Sequence, residues 1–343
     1  MAASKQGAAL RIVRFLAAAV LVVAPFAPGA EANDSSASLG AGGVVLTQSA
    51  DVRMASEDLT ISPKEVRIRY TFVNDGKEDI ATVVAFPLPD IDSSYLSMQP
   101  IGTVTEDQIN FVGFTAKVDG KPVEVHVEQR AIYKGRDVTA KVLATGAAIN
   151  LVTSPQNTDP TPEAKQALAA AGLADGAGKD EMFIPRWTIR TKLYWTQTFP
   201  AGRTVTVEHR YQPVTGSFFV ESMSLTDPQI YKDMDRNFCL DAATKALIHK
   251  RLDEATKRVP GDVGGPGLLI ANQTDYILKT ARNWKGPIGK FHMTLDKLKT
   301  DNVLSLCWDG TLTKTSATRF EFSAGNFVPP SDIRMLVLSS SAE

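Results

Sequence analysis

The feature that most constrains this chain is a period of two in its apolar residues. Val66, Ile68, Tyr70 and Phe72 alternate with Arg67, Arg69 and Thr71. Alternate side chains of a strand point to opposite faces, so this segment reads as a strand with one buried side. Asn74-Asp75-Gly76 follows as turn chemistry, and Ile80 to Phe86 returns as an apolar strand. Asp119-Gly120 is a favoured two-residue type I′ loop. Pairing Val118 with Lys121 across it sets Ala116 opposite Val123, Phe114 opposite Val125 and Val112 opposite Val127. A longer hairpin is expected where Trp187, Ile189, Leu193 and Trp195 share one face. Val205, Val207, His209 and Tyr211 would supply its returning inner face after Pro200-Ala201-Gly202. Further strands are expected over 290–296, 302–308, 317–323 and 332–338.

Helices are fewer. Thr161-Pro162-Glu163 reads as an N-cap followed by proline at the first helical position, with Gly172 as the stop. Asp241 opens a longer helix in which Thr244, Ile248, Leu252, Ala255 and Val259 recur at helical spacing, ended by Pro260-Gly261. The expected fold is mainly β, an antiparallel β-sandwich-like architecture. It carries a helical insertion at about 133–180 and one helix packed on a C-terminal β region. Residues 33–222 would form the N-terminal β-rich domain, and 223–343 the C-terminal helix plus β region.

The N-terminus supplies an address. Lys5, Arg11 and Arg14 precede an apolar run from Phe15 to Phe26, and small residues follow to Ala30-Glu31-Ala32. This is the pattern of a secretory signal peptide over residues 1–32, cleaved after Ala32. The run is broken by Pro25 and is shorter than the roughly 20 residues a membrane span needs. A periplasmic or secreted location is expected, with no membrane span after signal removal. In such a compartment Cys239 and Cys307, the two cysteines of the chain, read as one disulfide.

Charge excludes a partner class. Thirty-seven basic residues balance 38 acidic ones, so no global field favours nucleic acid. Nucleophile-elbow, H-E-x-x-H, P-loop and dinucleotide-binding motifs are all missing. Glu124, His126 and Glu128 stand on one face of an expected strand and can bind a divalent metal or shuttle protons. The same pattern is the ordinary charged face of a solvated sheet, which is the favoured reading. Asp233, Asp235 and Asn237 begin like a calcium loop, but Phe238 and Thr244 replace its glycine and bidentate glutamate. They are expected to decorate a loop before the Asp241 helix. Arg186, Arg190, Lys192 and Tyr194 form a second candidate face, suited to an anionic polymer or acidic partner. Cross-strand pairing with Glu208 and solvation explains the same pattern and is the favoured reading. His209 is expected as a hydrogen-bonded core residue, and Trp187 and Trp195 as core.

Five stretches carry a resemblance. They are NDSSASLGAGGVVLTQSADVRMASEDLTIS from Asn33, VAFPLPD ending at Asp90, WTIRTKLYWTQTFPAGRTVTVEHRYQP from Trp187, NWKGPIGKFHMTLD from Asn283, and CWDG from Cys307. Together they resemble the bacterial exported family known as domain of unknown function 4424. The resemblance implies an exported, β-rich protein and no particular activity or catalytic residues. The reading is an envelope module without catalysis, which needs no cofactor and binds an envelope protein or surface polymer. The alternative is a periplasmic hydrolase using a metal or a carboxylate pair.

Overall fold

A computed structural model describes residues 33–40, 43–94, 101–102, 107–151, 159–178, 180–221, 225–257 and 267–340. The expected signal peptide, and the Val259-Pro260-Gly261 end of the long helix, lie outside the described residues.

The fold is mainly β. A seven-stranded sheet has the order β11-β10-β14-β5-β1-β2, with β6 also paired to β14. Its strands are β1 (Ser35–Gly40), β2 (Gly43–Leu46), β5 (Ile80–Pro87) and β6 (Ile91–Asp92). β10 (His126–Tyr133), β11 (Arg136–Asp137) and β14 (Thr188–Phe199) complete it. An eight-stranded sheet runs β20-β21-β18-β3-β4-β15-β8-β9. It contains β3 (Val52–Ile61), β4 (Val66–Asn74), β8 (Thr115–Val118) and β9 (Lys121–Pro122). The other four are β15 (Thr204–Tyr211), β18 (Ile288–Asp296), β20 (Thr313–Lys314) and β21 (Arg319–Phe327). A five-stranded sheet, β19-β22-β17-β16-β7, is made of β7 (Ile101–Gly102), β16 (Thr215–Val220), β17 (Leu269–Tyr276), β19 (Val303–Leu306) and β22 (Ile333–Ser340). β12 (Ala174–Asp175) and β13 (Ile184–Pro185) pair separately.

The first two sheets face each other. Trp195 of β14 meets His209 of β15 with ring centroids 5.1 Å apart, and Phe86 of β5 meets Phe114 at 5.2 Å. The alternating faces are buried as the sequence requires: Val66, Ile68, Tyr70 and Phe72 on β4, and Val205, Val207, His209 and Tyr211 on β15. Trp187, Ile189, Leu193 and Trp195 are also buried.

Strand partners differ from expectation. β14 and β15 do not form a hairpin; β14 pairs with β10 and β5, and β15 with β4 and β8. β4 and β5 likewise lie in different sheets. Both connections are corners that carry the chain across the sandwich, and alternation alone does not distinguish a corner from a hairpin. Asn74, fully buried, joins the two corners. Its Nδ2 donates to the carbonyls of Glu78 and Phe199, both at 2.8 Å, and its Oδ1 accepts from Gly76 N at 2.8 Å. Gly202 N also donates to the Asn74 carbonyl at 3.0 Å.

The Asp119-Gly120 turn forms as expected, with φ of 48° and 77°, and pairs Val118 with Lys121. Val123 N still donates to Ala116 O at 3.1 Å. The Phe114–Val125 and Val112–Val127 pairs do not form, because the chain crosses to β14 at His126 and Val127 pairs with Leu193 instead.

Four α-helices are described: α1 (Thr139–Leu143), α2 (Pro162–Ala170), α3 (Pro228–Phe238) and α4 (Ala242–Lys257). The first two lie in the expected insertion. Thr161 caps α2 through Ala164 N, and Gly172 follows with φ 69°. Asp241 Oδ1 accepts from Thr244 N at 2.6 Å and opens α4, whose Ile248, Leu252 and Ala255 are buried. Asp233, Asp235 and Asn237 sit on α3 rather than on a loop. Cys239 and Cys307 form a disulfide across 68 residues of sequence, tying the α3–α4 junction to the end of β19. Both helices bury their apolar residues on one face of the five-stranded sheet, where Met234, Phe238, Ile248 and Leu252 meet Leu336 and Leu338. The opposite face gives Tyr276, Met335 and Val337 to the main core.

Candidate binding cleft

The cleft is built where β5 ends. Pro87 and Pro89 have no donor and interrupt the ladder, while Leu88 N bonds Thr191 O at 2.9 Å and β6 then resumes pairing with β14. Asp90 is then held by both Nε and Nη2 of Arg190, the closest contact being 2.7 Å. This segment faces β16, β17 and β22 across a hollow of about 470 Å³. Leu88, Ile91, Val112, Val214 and Phe218 give it apolar surface, and Tyr211 lies in its wall.

The polar wall follows from strand register. Asp275 on β17 lies directly opposite Arg334 on β22, with Nε to Oδ1 at 3.4 Å. Gln273, two residues earlier and on the same face, donates from Nε2 to both Asp275 oxygens at 3.0 Å. Burial pushes the Asp275 carboxyl up, while Arg334 and Gln273 oppose the rise. Arg334 also reaches Asn237 of α3 at 3.2 Å. A second hollow of about 470 Å³ shares Pro89, Asp90, Asp275 and Arg334 with the first. The Asp275–Arg334 pair therefore stands between two adjoining depressions. The Tyr211 hydroxyl has no hydrogen-bond partner among the described residues, and burial pushes its pKa up.

The residues singled out from sequence lie elsewhere. Glu124 precedes β10 and is exposed, and His126 stacks near Tyr194 with centroids 5.4 Å apart. Glu128 accepts from Arg130 at 2.9 Å and from Val44 N at 3.1 Å, and lies 3.7 Å from Lys192. Among the described residues no group of three or more His, Cys, Asp or Glu side chains is placed to hold a metal ion. On the second candidate face each cation has a carboxylate partner. Arg186 binds Asp175 at 2.7 Å, Arg190 binds Asp90, and Lys192 faces Glu128. Burial lowers the Lys192 pKa, opposed by Glu128. Tyr194 packs against Ala37, Val44 and Ala85. Of these residues only Arg190 touches the cleft's construction, through Asp90.

A second polar cluster, inside the sandwich, escaped sequence reading. His209 Nε2 lies 2.8 Å from Asp34 Oδ1, so the expected core histidine is present. Asn33 Nδ2 donates to Glu57 at 3.1 Å, Tyr276 OH donates to Glu57 at 3.2 Å, and Tyr70 OH donates to Asn33 Oδ1. Trp284 Nε1 donates to the Asp34 carbonyl at 2.6 Å. Glu57 points inward because a bulge between Met54 and Ser56 changes the phase of β3.

Fold and site thus define a disulfide-bonded, mainly β sandwich protein with a cleft at the junction of its sheets. A family model described as domain of unknown function, DUF4424, matches residues 32–336, and the chain belongs to that family. Among curated proteins none matches. Five solved chains match in structure. One is a Legionella pneumophila protein provisionally described as nutrient-binding, with 13% identity and a TM-score of 0.42, covering 90% of this chain and 70% of that one. No helix among the described residues is long and apolar enough to cross a membrane.

Proposed function

We propose that the protein is a non-catalytic binding module of the cell envelope and that its ligand occupies the cleft beside Asp275 and Arg334. The observation that carries this reading is the cleft's composition. Its volume of about 470 Å³ falls in the range of ligand sites, roughly 300–1,000 Å³. Leu88, Ile91, Val112, Val214 and Phe218 give it apolar surface, and Asp90, Asp92, Gln273 and the oriented Asp275–Arg334 pair give it polar groups, the mixture by which pockets fix a ligand's pose. The ligand class that fits is a peptide or polymer segment with an apolar body and a hydrogen-bonding end. The basic N-terminus with its Ala30-Glu31-Ala32 pattern, together with the Cys239–Cys307 disulfide, supports action in the periplasm or outside the cell.

The test is photocrosslinking in intact cells from a reactive side chain at Phe218 in the cleft and from a control at Lys121, on the Asp119-Gly120 turn. A discrete adduct from Phe218, lost with Arg334→Glu and never seen from Lys121, is the expected result. Equal labelling from both positions would remove the reading.

A further inference from the structure

The polar cluster inside the sandwich sets two carboxyl groups, Asp34 and Glu57, against one imidazole, His209. Asp34 is fully buried and Glu57 is 1% exposed, yet among the described residues no lysine or arginine bonds to either. Asp34 uses Oδ1 for His209, while its Oδ2 has no partner. Glu57 meets only neutral groups, the Asn33 amide and the Tyr276 hydroxyl. Tyr70, whose hydroxyl lies 3.2 Å from that of Tyr276, closes the set. Buried carboxylates are normally paired with a positive charge. Here burial pushes Glu57 up to about 8, and it raises Asp34 as well, with His209 opposing that rise.

Asn33 is fully buried in the same cluster. Its main-chain nitrogen is fixed by covalent geometry within about 5 Å of its own side-chain amide, which holds Glu57. It is also bonded through one residue to Asp34. The peptide bond before it joins Ala32, the last residue of the small-residue pattern that marks signal cleavage. Hydrolysis there consumes one water, leaves a carboxylate on Ala32 and frees the amine of Asn33, which takes up a proton.

We propose that the α-ammonium of Asn33, created by removal of the leader after Ala32, is the missing cation, bound in an internal site formed by Asp34 and Glu57. The ammonium brings three donors and a full charge to a site with one free carboxylate oxygen and a second carboxylate held only by neutral groups. The site is selective for a primary ammonium at this chain position. One additional residue turns that group into a neutral amide and leaves Glu57 with neutral partners and Asp34 with His209 alone. Completion of the core is thereby coupled to processing, so the chain gains its full stability only after the leader is gone. This inference depends on the cleavage position and not on the cleft.

The experiment compares the mature protein beginning at Asn33 with the same chain beginning at Ala32. An amine-selective reagent is applied at pH 7 to native and urea-unfolded samples, and urea midpoints are measured for both chains. The α-amine of native Asn33 is expected to react roughly tenfold or more slowly than in the unfolded chain. The Ala32 chain should unfold at lower urea, and Glu57→Gln should shrink the difference between the two starts. Equal labelling of native and unfolded Asn33, equal midpoints for the two starts, or a cellular mature protein beginning at another residue would each overturn the proposal. The labelling arm needs no substitution, so it decides even if Glu57→Gln does not fold.

Discussion

The Asp34 carboxylate and the His209 imidazole meet at 2.8 Å with both side chains fully buried. They lie 175 residues apart in sequence and hold the start of the described chain to β15. Replacing His209 by alanine leaves Asp34 without a side-chain partner in the core. The expected loss is about 3 kcal/mol in urea unfolding. Asp34→Ala with His209→Ala should cost less than the sum of the single changes, because neither polar group is then stranded. Additive losses would show that the two residues do not act as a pair.

Glu57 gives a pH dependence whose sign is fixed. Its ordinary value is 4.5, and burial raises it to about 8 in the folded chain, with Asn33 and Tyr276 opposing. The folded state therefore keeps a proton that the unfolded state has released between these limits. In the chain beginning at Ala32, the contribution is full below pH 4.5 and is lost as pH rises to about 8, with a slope of at most about 1.4 kcal/mol per pH unit. Asp34, also raised, acts in the same direction. Glu57→Gln should flatten the curve across this window. A curve unchanged by that substitution contradicts the assignment.

Asn74 carries two corners on one side chain. Asn74→Ala strands the carbonyls of Glu78 and Phe199, and the expected loss is about 2–4 kcal/mol. Denaturant titration checks it, and a loss below 1 kcal/mol would mean that the corners stand on other contacts.

The disulfide closes a loop of 68 residues. Cys239→Ser with Cys307→Ser should lower stability by about 4 kcal/mol. Urea melts of the oxidised and double-serine proteins measure the difference directly.

Faces were legible in the sequence and partners were not. The alternation in β4 and β14 reports which side chains turn inward, and Tyr70, Phe72, Trp187 and Trp195 are buried accordingly. It does not report which strand lies alongside, so Pro200-Ala201-Gly202 reads equally as a hairpin or an inter-sheet corner. Helix α3 was hidden by its polar composition. Its signal was the spacing of Met234 and Phe238, four residues apart and both buried. Glu57 could have been found as an acid in phase with Leu59 and Ile61, which are buried on the same strand. The cleft had no local signal, since Asp275 meets Arg334 only through the β17–β22 pairing and Asp90 comes beside them only where separate sheets meet.

The central claim, a ligand held at the Asp275–Arg334 pair, is tested most directly by native mass spectrometry of the protein isolated from its own envelope fraction. Wild type is compared with Asp275→Ala/Arg334→Ala under identical conditions. The account predicts a defined added mass on the wild type that is lost from the double variant while the disulfide-bonded fold is retained. The same added mass at the same occupancy on both proteins would contradict it.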